Sequence, residues 1–586
     1  MKRICTYVLL CSLYILNTTQ ITKAQTSYTE VTSQVGFAHL FGAVVEFGAG
    51  VSFCDFNNDG IDDLTFSTVP GDPIHFLQNN SGTFSSVSPV STVIDTFESK
   101  QMLFADIDND GDEDLFVVNH KYPNQLFRND GGQYNEVTAA YGLDLLDSPT
   151  YTACWGDYDR DGYLDLFVAN RPELNYPGRN YLYKNVNGTS FTETTIAAGV
   201  TDSLHMPLAC AFLDYNNDMW PDLYIVSDKM AGNQIYKNNG DGTFTDASVS
   251  TGLGVVMCAM GIAQGDYDND GDLDLYISNM QDTGNFFFRN NGNETFSQIS
   301  TSLGVENFRV CWGTNFFDYD NDGWQDIFVC ASDWPNAQLN LKNTLYQNTG
   351  SGFLETTGND FDDDTLSDSF GTAIGDYNND GHYDIAVSNR NDSSQLFMNT
   401  GGTNNWIKLK LEGVQSNRNG VGSWIRIVSG GTEQVRYKEC GISFCSQNSG
   451  NTIIGLGTNT LIDTIEISWP SGWVDVMTSV TVNQFLLLQE GFSTVSTHNA
   501  PELSTSLLAY PNPTTNSTTL TISASNSGQY ELEVYDAIGR KTHSESIYIQ
   551  NRTTQIEIQS NTISTGLNYI QLRSKEQTLS TTLLKQ

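Results

Sequence analysis

The chain has 586 residues, with 69 acidic against 28 basic side chains and a formal net charge of −41. Acidity on this scale excludes a nucleic-acid binder, because nothing neutralises a run of phosphates, and it argues equally against anionic membrane surfaces. The length calls for more than one domain, and 39% hydrophobic residues are ample for packed cores.

Residues 1–24 read as a secretory signal. Lys2 and Arg3 form the basic region, an apolar run extends from Ile4 to Leu16, and Thr22-Lys23-Ala24 offers a cleavage site before Gln25. The run is too short to span a bilayer, and no other stretch approaches that length. Cys5 and Cys11 leave with the signal. The other eight cysteines contain no C-x-x-C pair, so zinc and thioredoxin-like chemistry find no support. Five of the eight precede acidic loops in apolar stretches, as buried structural thiols do. Cys440 and Cys445 are spaced for a hairpin disulfide or for two free thiols, and the sequence leaves both open.

From Asp55 to Asp384 one acidic loop, D-x-[D/N]-x-D-G-x-x-D, recurs seven times, with starts 51 to 58 residues apart by subtraction. Oxygen-bearing side chains fall at positions 1, 3, 5 and 9. They are Asp55, Asn57, Asp59 and Asp63; Asp106, Asp108, Asp110 and Asp114; Asp157, Asp159, Asp161 and Asp165; Asp214, Asn216, Asp218 and Asp222; Asp266, Asp268, Asp270 and Asp274; Asp318, Asp320, Asp322 and Asp326; Asp376, Asn378, Asp380 and Asp384. This spacing wraps a short turn around a hard cation that takes six to eight oxygens, which points to Ca2+. More than a third of the acidic residues are thereby assigned. Position 6 is glycine except in the fourth loop, where Met219 replaces it and Pro221 follows, so that site is expected to be weak or empty. Loops two, three, five and six carry four carboxylates each and are expected to bind best. An EF-hand needs a bidentate Glu at position 12. Here that position is Phe66, Val117, Val168, Ile225, Ile277, Val329 or Val387, so the helical reading fails.

Each loop sits in a unit of four short β-rich runs, which is the content of a propeller blade. The fourth-strand phrase follows each of the first six loops, beginning at Phe84, Tyr134, Phe191, Phe244, Phe296 and Phe353. The seventh unit lacks it, while a spare copy stands at residues 28–32. The expectation is an all-β chain in which that spare strand closes a seven-bladed propeller over residues 25–403. The repeated loops and flanking strands resemble FG-GAP or VCBS repeats, a likeness that implies calcium on one rim and ligand contact on the other.

From Trp406 the period is lost. An N-R-x-G-x-G turn (Asn417 to Gly422), a G-L-G (Gly455 to Gly457) and a W-P-S-G (Trp469 to Gly472) resemble the ASPIC/UnbV domain, spanning 404–491. Cartilage acidic proteins pair the same two modules, and that resemblance implies an extracellular binding or adhesion role. On their residue types alone, these glycines and tryptophans are better shapers of a small β domain than ligand contacts. Residues 492–507 read as a polar linker. In residues 508–586 the Pro511-Asn512-Pro513 opening, the Asp536 to Arg540 turn and the Gly566-to-Leu572 strand resemble a type IX secretion sorting domain. That likeness implies a Gram-negative secreted or surface protein that engages the type IX machinery.

No G-x-S-x-G, H-E-x-x-H or phosphate-cradling loop occurs, and every clustered Asp is taken by a loop. The chain therefore reads as a non-enzymatic calcium-binding repeat protein with a protein or glycan ligand. The alternatives are a structural envelope or matrix component without a discrete ligand and, further off, a propeller-based carbohydrate-active enzyme. Trp155, Trp312, Trp324 and Tyr163, beside the loops, suit blade packing better than sugar stacking.

Overall fold

The computed structural model describes residues 26–42, 47–90, 97–143, 148–176, 178–200, 205–229, 231–332, 342–362 and 367–491 of one compact unit. It also describes most of residues 506–585 of a second. The signal segment and nearly all of the linker lie outside the described residues.

Among the described residues seven four-stranded antiparallel blades follow one another, the second and third joined into one eight-stranded sheet where Ser148 pairs Tyr122 and Pro149 pairs His120. The first comprises Val51–Cys54, Asp63–Phe66, His75–Asn79 and Phe84–Val87. The seventh comprises Asp368–Gly375, Asp384–Arg390 and Gln395–Asn399, and its outer strand is the N-terminal Tyr28–Glu30. Tyr28 pairs Asn399 and Glu30 pairs Phe397, so the spare strand closes the ring as expected by covering the edge of Gln395–Asn399 and becoming the outer strand of the last blade. In every blade the acidic loop joins the innermost strand to the second. The position-12 residues are buried within the second strands and pack between blades. Trp155 is buried between blades two and three. Trp312 is buried at the central channel against Phe370 and against Phe444 of the segment that fills it, so it packs around the channel and not within a blade.

Residues 405–489 form two sheets. Thr452–Gly457, Asn405–Glu412 and Phe485–Gln489 make one; Thr432–Tyr437, Trp424–Ser429, Leu461–Ser468 and Val474–Thr481 make the other. Alternation in Asn405–Glu412 and Trp424–Ser429 puts Ile407, Leu409, Ile425 and Ile427 into one core with Trp469. This module lies on the loop-bearing face of the propeller, and its segment 438–451 runs down the central channel. Trp155 N–H donates to Cys440 O (3.0 Å), Ser443 N–H to Ile262 O (3.0 Å), Phe53 N–H to Gln447 O (3.0 Å) and Ser449 N–H to Ile374 O (2.9 Å). The plug thus completes innermost strands from several blades around the ring. Gly50 is required where it passes, since a Cβ there would lie 1.4 Å from Cys445 O. Cys440 and Cys445 are both free thiols, donating to Phe104 O (3.4 Å) and Tyr151 O (3.0 Å), so the disulfide alternative is set aside.

The C-terminal unit has a three-stranded sheet (Ser506–Tyr510, Ser517–Ser523, Thr553–Gln559) and a four-stranded one (Lys541–Ile549, Gly528–Asp536, Gly566–Arg573, Thr578–Lys585). Among the described residues Tyr530, Leu532, Val534, Ile558, Ile570 and Leu572 are buried in it. No helix among the described residues is long and apolar enough to cross a membrane.

Candidate metal centres on the propeller face

All seven loops share one hydrogen-bond skeleton. The position-1 carboxylate takes the N–H of position 5 on Oδ1 and that of position 6 on Oδ2, as Asp106 does from Asp110 (3.1 Å) and Gly111 (2.8 Å). The position-5 carboxylate takes the N–H of position 7, as Asp110 does from Asp112 (2.9 Å). At position 9, Asp114 accepts from Asn129 N (2.7 Å) and Ile107 N (2.9 Å). The carboxylates are therefore aimed by backbone donors, which is how a short loop holds ligands without a helix.

In loops two, three, five and six, oxygens of positions 1, 3 and 9 come together. Asp106, Asp108 and Asp114 have theirs within 4.8 Å of one another, as do Asp157, Asp159 and Asp165; Asp266, Asp268 and Asp274; and Asp318, Asp320 and Asp326. Loops one, four and seven place Asn57, Asn216 and Asn378 at position 3, where each amide oxygen accepts the position-5 N–H.

The donor set fits a hard cation. The Oδ1 atoms of Asp108, Asp159 and Asp268 are buried with no hydrogen-bond partner, and a buried anionic oxygen left so is costly. Burial, with neighbouring carboxylates adding to it, pushes Asp106, Asp157 and Asp266 up to about 7. Burial pushes Asp63 up to about 8 and Asp114 to about 9, and holds Asp165, Asp274, Asp318 and Asp326 well above the usual carboxylate range. Such clusters resist full ionisation on their own, and a divalent ion removes the resistance. At Met219 the backbone does take the left-handed conformation (φ 70°), and Asp214 still receives its N–H at 2.9 Å.

Six overlapping matches to the FG-GAP-like repeat model run from residue 55 to residue 387, more than half of the chain. The chain belongs to the FG-GAP-like repeat proteins. Residues 413–495 match the ASPIC and UnbV model, and residues 508–586 match a secretion system C-terminal sorting domain, which indicates type IX secretion and an extracellular or cell-surface location. Cartilage acidic protein 1 of Homo sapiens is 23% identical over 426 residues, covering 63% of this chain and 59% of that protein. Its counterpart from Mus musculus is 23% identical over 307 residues, covering 50% and 40%. The chain thus spans less than two thirds of the length of these curated relatives.

In this FG-GAP-like repeat protein the second module's motifs are docking contacts as well as shape. From the N-R-x-G-x-G turn, Arg418 N–H donates to Asn109 Oδ1 (2.8 Å), and Asn419 accepts from Asp106 N (2.8 Å) while donating to Glu113 (2.7 Å). In the G-L-G, a Cβ on Gly455 would lie 2.1 Å from Asp318 Oδ2, so only glycine lets the strand rest on loop six. Pro470 O, of the W-P-S-G, accepts from Arg160 of loop three. Further donors reach position-1 carboxylates: Lys408 Nζ lies 3.0 Å from Asp376 Oδ2, and Trp424 Nε1 is 2.9 Å from Asp214 Oδ2.

Two further sets escape a reading based on loop oxygens alone. An asparagine closes the third strand of every blade, at Asn79, Asn129, Asn185, Asn238, Asn290, Asn348 and Asn399, and each is buried. Its N–H holds the position-9 carboxylate, and in six blades its side chain also reaches the preceding blade, as Asn348 Nδ2 does to Tyr267 O (2.7 Å). The second set is at position 4, where Asn58, Asn109, Asn217, Asn269 and Asn321 donate to the position-6 carbonyl of the next loop (Gly111, Gly162, Gly271, Gly323 and Gly381). The signal for both was present as an Asn at constant offset in the repeats.

A cleft of about 470 Å³ opens between blades one and two, lined by the loop residues Phe56, Asn57 and Asp112 and by Gln78, Pro89 and Tyr134 among others. In blades three, four and six the loop residue at position 7 is Tyr163, Trp220 or Trp324, set against a turn glycine (Gly188, Gly240 or Gly350). In blade two that residue is Asp112.

Proposed function

We propose that this is a secreted or cell-surface calcium-binding repeat protein, without enzymatic activity, that binds an extracellular protein or glycan. The observation that supports calcium is the set of buried, unpartnered Asp oxygens beside carboxylates aimed by backbone N–H groups. Asp at positions 1, 3, 5 and 9 supplies the all-oxygen shell that a hard divalent ion takes. The ions would hold the loops in place under the second module, a structural rather than a signalling role. The open cleft between blades one and two falls in the size range of small-ligand sites and mixes amides with aromatic walls, which suits a polyhydroxylated ligand.

A melting experiment on chelator-stripped protein across a calcium titration tests the metal. A saturable site contributes about 1.4 kcal/mol when calcium is tenfold above its dissociation constant. A body of this size gains about 1 °C per kcal/mol, so four sites raise the melt by about 6 °C. A saturable rise that magnesium fails to reproduce supports structural calcium; a flat melt returns the loops to acidic turns. A glycan array probed in calcium and in EGTA, with Gln78→Ala beside the native chain, tests the ligand. Binding lost in the variant supports the cleft, and binding to nothing favours an envelope component without a discrete ligand.

A further inference from the structure

In blades three, five and six the residue just before the buried asparagine of the third strand touches that blade's own loop, and its charge differs among the four-carboxylate loops. In loop three it is Lys184, whose ammonium contacts Asp159 Oδ2 and lies 3.2 Å from Asp161 Oδ2. In loop five it is Arg289, with Nε 3.1 Å from Asp268 Oδ2 and Nη2 3.2 Å from Asp270 Oδ2. In loop six it is neutral Gln347, donating to Asp320 Oδ2 at 2.9 Å. In loop two Arg128 is paired with Asp130 at 2.8 Å and reaches Tyr141 Oη at 3.5 Å, so its charge acts on Asp108 and Asp110 without the direct contact that Lys184 and Arg289 make.

We infer that Lys184 and Arg289 are resident counter-cations that weaken the third and fifth metal sites and divide the four into two affinity classes. The inference rests on the calcium reading above. Each cation bridges positions 3 and 5, while the other oxygen of position 3 (Asp159 Oδ1, Asp268 Oδ1) stays buried without a hydrogen-bond partner, and each of these residues belongs to a carboxylate triplet. A divalent ion entering the triplet finds its position-3 carboxylate already paired, the position-5 carboxylate beside it paired as well, and a positive charge a few ångströms away. Lys184 and Arg289 side chains are 34% and 43% exposed, so water screens the repulsion, and the expected weakening is about tenfold rather than complete. Orientation of the position-3 carboxylate does not require the charge, because Gln347 makes the same contact with a neutral amide. That separates this role from the ordinary service of outer-shell donors, whose loss lowers affinity.

The test is native mass spectrometry of the full chain across a buffered calcium series, counting bound ions. The wild type is expected to take up two ions first, at loops two and six, and two more at about tenfold higher free calcium. Lys184→Gln with Arg289→Gln, which copies loop six, is expected to bring all four into the first class, whereas Lys184→Arg leaves the order unchanged. Gln347→Lys, an independent arm should the double variant fold poorly, is expected to move one ion from the first class to the second. Uptake that is unchanged or later in the double variant overturns the inference while leaving calcium binding intact. No bound ion in any variant overturns both.

Discussion

The fourth and sixth loops share one backbone skeleton and differ in nearly everything a metal would feel. Asp214 and Asp318 each receive the N–H groups of positions 5 and 6, and Asp222 and Asp326 each receive that of the buried asparagine at 2.7 Å. Yet loop four has Asn216 in place of an aspartate, Met219 in place of glycine, and the indole N–H of Trp424 on Asp214. Loop six has four carboxylates, Gly323, and the bare backbone of Gly455 against Asp318. Loop shape and metal chemistry are therefore separable. The shape comes from backbone donors and the asparagine, and an ion held there would add to a turn that the protein already makes.

The strongest way to break that separation is to remove the third-strand asparagine that backs each of the two loops. Asn348 Nδ2 donates to Tyr267 O (2.7 Å) and Gln325 O (3.1 Å), and its Oδ1 accepts from Gly350 N (2.9 Å). Asn238 makes the equivalent bonds to Tyr158 O (2.8 Å), Pro221 O (2.9 Å) and Gly240 N (2.9 Å). Either residue changed to Ala leaves buried groups unpaired at about 1–3 kcal/mol each, for a loss of about 3–6 kcal/mol. Urea unfolding should show nearly the same loss for both variants, in calcium and in EGTA. A loss confined to calcium would mean that the ion shapes the turn.

Next in size is the response to pH in the absence of metal. Burial raises these carboxylates in the folded state: Asp214 to about 6, Asp266 to about 7, Asp114 to about 9, and Asp318 and Asp326 well beyond the usual range. A group raised on folding contributes stability that is complete below its unfolded value, about 4 for Asp, and lost as pH rises through the folded value. Chelated protein should thus lose several degrees of melting temperature between pH 5 and 8, and saturating calcium should flatten or reverse the slope. A chelated melt independent of pH would mean that these groups are solvated.

How much of this was legible depends on what each contact demands of the sequence. A metal loop needs oxygens at fixed offsets, so Asp106 to Asp114 and its six relatives stand out, and ring closure follows from the spare strand at Tyr28. Docking of the second module does not show, because its contacts are made by an absence (Gly455 and Gly50 are there for lack of a Cβ) or by single donors such as Trp424, some 200 residues from Asp214 by number. The plug from Cys440 to Gln447 has no periodicity, since it pairs with a different blade at each step. Lys184 and Arg289 were hidden in plain β-strands, where a basic residue is usually surface.

The docking contacts give a smaller comparison. Gly455→Ala forces a Cβ to within 2.1 Å of Asp318 Oδ2 and 2.4 Å of Asn321 Cα, both part of a packed turn. Overpacking of this kind costs about 1–3 kcal/mol. Trp424→Phe removes one hydrogen bond to a carboxylate and keeps most of the packing, at about 1.5 kcal/mol. Limited proteolysis should open the junction between the modules faster in the first variant. Equal rates would mean that loop four carries as much of the dock as loop six.

The smallest expected effect is also the sharpest test of why loop four differs. A non-glycine residue in the left-handed region is strained by about 1–2 kcal/mol, and Met219 sits there at φ 70°. Met219→Gly relieves the strain but restores chain freedom to the unfolded state, which offsets about 0.5–1 kcal/mol. The net gain is about 0.5–1 kcal/mol. It should be the same in calcium and in EGTA, because Asn216 still stands at position 3 and Trp424 still holds Asp214 Oδ2. Gly323→Met in loop six should instead destabilise, since its φ is +97° and a Cβ would meet Gln434 at 3.2 Å. If Met219→Gly stabilises only in calcium, the methionine alone keeps an otherwise competent site weak, and the asparagine and the indole are incidental to it.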